Sequence, residues 1–165
     1  RLYEWLMQTG LDTEIVSMDG NDIVLGDATL PRGRDGILKP AKGDRLLLVR
    51  ILDMNTPAAP EDFQGKPSVR LETFERKDTL EPDSKDKALS GARSFGLDKR
   101  LVIATRAAAP DFKILLYPYR SGEKLPVTTW NEDRSALTIQ AGGVTRELAF
   151  QKDNSGRIII SAKKP

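Results

Sequence analysis

Turn-forming residues punctuate this chain at intervals of roughly 8–12 residues, and the segments between them alternate apolar and polar side chains. That cadence is the strongest constraint on its fold. A segment so short completes too few helical turns to bury a stripe, whereas a strand exposes one face with every second residue. Ala141-Gly142-Gly143 and Asp153-Asn154-Ser155-Gly156 separate the last three apolar segments as hairpin turns, and Asp19-Gly20-Asn21 does the same near the start. The pattern predicts strands over 2–7, 14–18, 22–25, 45–51, 68–74, 101–105, 112–117, 127–130, 136–140, 144–150 and 157–161, with a further short segment at Thr29-Leu30-Pro31. Arg45-Leu46-Leu47-Leu48-Val49-Arg50-Ile51 is too apolar for a half-solvated edge and belongs at the centre of a sheet. The expected fold is all-β, a mostly antiparallel β-sandwich of roughly ten or more short strands.

Two stretches break the rhythm. Residues 53–67 carry Pro57, Pro60 and Pro67 and read as a long loop, with one helical turn near Pro60-Glu61-Asp62-Phe63. Residues 76–99 are polar, carry charges of both signs and hold few apolar anchors, so they are expected to form a long polar loop or insertion. At 165 residues the chain suits a single domain spanning 1–165. It opens on Arg1 rather than Met, inside an expected strand, so a fragment or trimmed piece of a larger protein is expected.

Composition narrows the chemistry. There is no cysteine, which removes disulfides and thiolate chemistry, and no histidine, which removes the commonest general base and metal ligand. No catalytic residue, metal site or cofactor site is expected. A net charge of +2 is too small to point to nucleic acid, and no apolar run reaches the ~20 residues of a membrane span.

Four residues are candidates for contact with a ligand. In strand geometry Phe112, Ile114 and Leu116 share one face, and Lys113, Leu115 and Tyr117 share the other. Tyr119 and Arg120 then stand at the strand exit, where Ser121-Gly122-Glu123 turns the chain. A phenol beside a guanidinium can stack on a sugar and pair with its carboxylate. The competing reading places Tyr117 in the core with its hydroxyl at the rim. Trp130 ends a strand and is either an exposed sugar platform or a buried plug at the end of the sandwich; Trp5 is expected in the core. Adjacent carboxylates such as Glu61/Asp62 and Glu132/Asp133 lack the cross-cleft spacing that glycoside hydrolysis requires and read as solvated loop charges.

Several stretches resemble one family. Leu2-Tyr3-Glu4-Trp5-Leu6 is similar to a Tyr/Phe-x-Trp-Leu strand, and Asp19-Gly20-Asn21-Asp22-Ile23 to a Gly-Asn turn with its following strand. Residues 101–126 match a Leu-Val-Ile strand, Pro-Asp-Phe, an aliphatic strand, Tyr-Pro-Tyr-Arg, Gly and Leu-Pro. These features resemble the β-rich region that follows the helical catalytic toroid of the heparinase II/III-like polysaccharide lyases. The resemblance implies a non-catalytic C-terminal β-sandwich supporting a helical domain of the same parent, which acts on uronic-acid-containing polysaccharide in the periplasm or outside the cell. Some members carry a histidine-based metal site in the β region; here the position after Trp5-Leu6 is Met7-Gln8, not histidine. A carbohydrate-binding module and a purely structural interaction domain stand as alternatives.

Overall fold

The computed structural model describes residues 1–53, 68–79, 92–106 and 111–163; side chains are not described at 76–79, 92–95 and 163. It contains eleven strands: β1 (Leu2–Thr9), β2 (Thr13–Asp19), β3 (Asp22–Asp27), β4 (Arg45–Asp53), β5 (Val69–Thr79), β6 (Ala92–Arg106), β7 (Lys113–Arg120), β8 (Val127–Trp130), β9 (Ala136–Ala141), β10 (Val144–Lys152) and β11 (Ile158–Lys163). They form three antiparallel sheets, ordered β1-β6-β5, β2-β3-β4-β7 and β11-β10-β9-β8. The all-β sandwich expected from the turn spacing is the observed fold. No helix among the described residues is long and apolar enough to cross a membrane.

The hairpins follow local chemistry. Ala141 pairs with Val144 around Gly142 and Gly143, which have φ of 56° and 78°. Positive φ at both central positions is the type I′ geometry, whose twist matches the strands it joins and which glycine adopts without strain. At the β2–β3 turn Gly20 takes φ of 55°, so the left-handed position falls on glycine.

The first two sheets face each other across the main core. Leu101 and Ile103 of β6 meet Ile23 and Leu25 of β3 and Val49 and Ile51 of β4, with Trp5, Met7, Val69, Leu71 and Ile114 packed around them. Trp5 is a core residue, as expected. β4 lies between β3 and β7, the central place its unbroken apolar run requires, and it is buried on both faces. Its other face carries a second cluster of Val24, Leu46 and Leu48, covered by Val16, Leu30, Tyr117 and Tyr119. Strand alternation sends Ile15 to the first cluster and Val16 to the second, and a bulge between Ile15 and Ser17 shifts the register with β3 at that point.

Two expectations need correction. Thr29-Leu30-Pro31 is not a strand but part of a turn, held by the Asp27 carboxylate, which accepts from the Thr29 amide and hydroxyl at 2.8 and 2.6 Å. Leu30 is apolar there because it packs on the second cluster. The polar stretch 76–99 is not loop at its flanks either. β5 and β6 remain paired out to Thr79 opposite Ala92, because a two-stranded arm satisfies its backbone by cross-strand bonds without needing an apolar face. The remainder of that stretch, and the helical turn expected near Pro60, lie outside the described residues.

The third sheet is latched to the second by polar groups. Arg50 of β4 grips Asp22 of β3 through Nε–Oδ1 and Nη2–Oδ2, both 2.6 Å, and its Nη1 donates to the Pro126 carbonyl and to Thr128. Trp130 Nε1 donates to the Leu52 carbonyl at 3.1 Å, and Arg134 reaches Asp53 at 3.1 Å.

Candidate functional site

Strand alternation decides what the four candidate residues can do together. β7 does not end at Tyr117. It stays paired with β4 through Pro118, Tyr119 and Arg120, with Tyr117 opposite Leu48, Tyr119 opposite Leu46 and Arg120 opposite Arg45. Consecutive strand residues point to opposite faces, so Tyr119 and Arg120 diverge. Tyr117 and Tyr119 both cover the second apolar cluster, in line with the core reading of Tyr117. The Tyr119 hydroxyl is held above its ordinary pKa of 10.0, first by burial and then by the charge of Asp22, so it stays protonated.

Trp130 is partly buried, and its ring lies 5.2 Å from that of Phe150 at an interplanar angle of 48°. With Lys113 Nζ 5.9 Å from its centroid and its indole N–H bound to Leu52, it ties β8 to the second sheet. The structure therefore does not bring Trp130 together with the β7 tyrosines and Arg120.

Arg120 stands at the end of β7 in a braced turn. The Gly43 amide donates to the Ser121 carbonyl and the Ser121 amide to the Asp44 carbonyl, at 2.9 and 2.8 Å. Arg120 Nη1 donates to the Gly43 carbonyl at 2.9 Å, and the Arg120 amide donates to Glu123 Oε2 at 2.9 Å. The residue that sequence reasoning missed is Arg45, which pairs with Arg120 directly across the strands. Pairing is a property of the register, and nothing in the spacing between 45 and 120 signals it.

A shallow depression of about 320 Å³ is lined by Arg45, Leu46, Pro118, Tyr119, Arg120 and Glu123. A larger trough of about 440 Å³ runs beside β7, the edge strand of its sheet. It is walled on one side by Ile114 and Leu116 and on the other by Leu148, Phe150, Ile158 and Ile160 of the third sheet, with Trp5 also lining it. Its rim is open: Leu116 is 44% exposed, Ile158 46% and Ile160 60%. Among the described residues, no group of three or more acidic side chains could hold a metal ion. No family model, curated protein or solved structure matches this chain.

Proposed function

We propose that this chain is the non-catalytic C-terminal β-sandwich of a heparinase II/III-like polysaccharide lyase, packed against a helical catalytic domain of the same parent that acts on uronic-acid-containing polysaccharide outside the cytoplasm. The observation that carries this reading is the open apolar trough beside β7. Exposed large aliphatic side chains on an edge sheet are costly in water and prone to pairing with other chains, so such a surface marks a contact with a neighbour. A helix laid along the trough would cover Leu116, Ile158 and Ile160 together. The short motifs at residues 2–6, 19–23 and 101–126 supply the family half of the reading.

Two measurements test it. Purified chain incubated with heparan sulfate, alginate or chondroitin should produce no unsaturated-uronate absorbance; sustained production refutes a non-catalytic domain. The helical domain encoded upstream, produced separately, should bind the chain, and Leu116→Asp with Ile160→Asp should abolish binding while leaving the strand circular dichroism unchanged. Binding untouched by that pair of substitutions refutes the trough as the docking surface.

The alternative reading, a carbohydrate-binding module, draws support from one feature, the arginines at the start of β4 and the end of β7.

A further inference from the structure

Arg45 and Arg120 occupy directly opposed positions on neighbouring antiparallel strands. Side chains so placed have Cβ atoms about 4.5–5.5 Å apart, and like charges there repel. Arg120 offsets part of this by donating to the Gly43 carbonyl, a neutral acceptor. The Arg45 side chain is exposed and has no hydrogen-bond or ion-pair partner among the described residues. Glu123 lines the same depression, yet its carboxylate accepts from the backbone amide of Arg120 and ion-pairs with neither guanidinium. The strand end thus keeps two cations side by side, with no carboxylate ion-paired to either among the described residues.

We propose that this pair is a binding site for a carboxylate carried on a saccharide, with the carboxylate bridging the two guanidinium forks. Two planar forks suit the two oxygens of a carboxylate, and a bound anion offsets the repulsion between the guanidiniums. Pro118, on the same strand face as Arg120, supplies a small apolar ledge. At about 320 Å³ the depression is at the low end of small-molecule pockets, a fit for a single ring rather than a long segment. A peptide strand is disfavoured at this place. Pro118 has no N–H to offer to an added strand, and β7 is the edge on which such a strand would form. The anion half of the inference stands apart from the lyase reading; the choice of a uronate as the natural carboxylate rests on it.

The test is an amide-resolved NMR titration of the whole chain with trigalacturonate, its methyl ester, sodium sulfate and a tetraglutamate peptide, each to 10 mM at low salt. Trigalacturonate should shift Gly43, Arg45, Arg120 and Glu123, and the methyl ester should not. Arg45→Gln and Arg120→Gln should each weaken trigalacturonate binding by roughly tenfold. Arg45→Gln should also raise the ligand-free melting temperature by roughly 1–3 °C by removing the like-charge contact, which shows that the variant is folded. Equal shifts with the ester, preferential binding of tetraglutamate or sulfate, or no shifts at these residues would each overturn the assignment. If the site binds trigalacturonate while the upstream helical domain fails to bind the chain, the docking reading falls and this one stands.

Discussion

Arg50 is the polar joint between the second and third sheets, and replacing it by Met should destabilise the protein by about 2–3 kcal/mol. Two limits bracket that figure. An exposed ion pair contributes about 0–1 kcal/mol, and breaking a buried one costs about 3–5 kcal/mol because the remaining charge stays desolvated. Here the Arg50 and Asp22 side chains are 16% and 24% exposed, closer to the buried limit, with solvent screening part of the loss. Met retains the packing of the aliphatic stem, so the change reports mainly on the polar head. Asp22→Asn should cost less, about 1–2 kcal/mol, since Arg50 keeps its bonds to Pro126 and Thr128. Arg50→Lys should fall near Met, because an ammonium cannot reproduce the fork. Urea unfolding with linear extrapolation measures all three, and backbone NMR shifts should concentrate at Val127–Trp130. If Arg50→Met costs under about 0.5 kcal/mol, or no more than Asp22→Asn, then Arg50 does not join the sheets.

Gly26 and Tyr119 give two further predictions. A Cβ at Gly26 would lie 2.6 Å from Leu30 Cδ1, 2.9 Å from Val16 Cγ2 and 3.2 Å from Leu46 Cδ2, so Gly26→Ala should lower stability by about 1–2 kcal/mol in thermal or urea unfolding; a neutral or stabilising result would mean that Leu30 and Val16 yield freely. Burial raises the Tyr119 pKa above 10.0, so the unfolded chain releases this proton first and folding stability should fall as pH rises from about 10 through the folded value. Tyr119→Phe should remove that part of the alkaline loss, measured by urea midpoints between about pH 9 and 11; an unchanged slope would exclude Tyr119 as its source.

The strands were legible because their causes are local. Gly142-Gly143 demands a tight hairpin wherever the chain goes, and the run from Leu46 to Ile51 cannot be solvated on either face, so it is central in any sheet that forms. Alternation within 112–117 likewise assigned Ile114 and Tyr117 to different faces without knowledge of their neighbours. Two errors came from judging a segment by its own composition. The flanks of 76–99 lack apolar anchors, yet β5 and β6 hold each other by backbone bonds that composition does not report. The strand predicted over 112–117 stops too early, since pairing with Leu46 and Arg45 keeps Tyr119 and Arg120 extended up to the exit turn and sends their side chains apart. The division into three sheets, the latch from Arg50 to Pro126 and the meeting of Arg45 with Arg120 were decided only by the tertiary structure. The last two join residues about 75 positions apart, a separation over which register follows from how the faces bury rather than from any local preference.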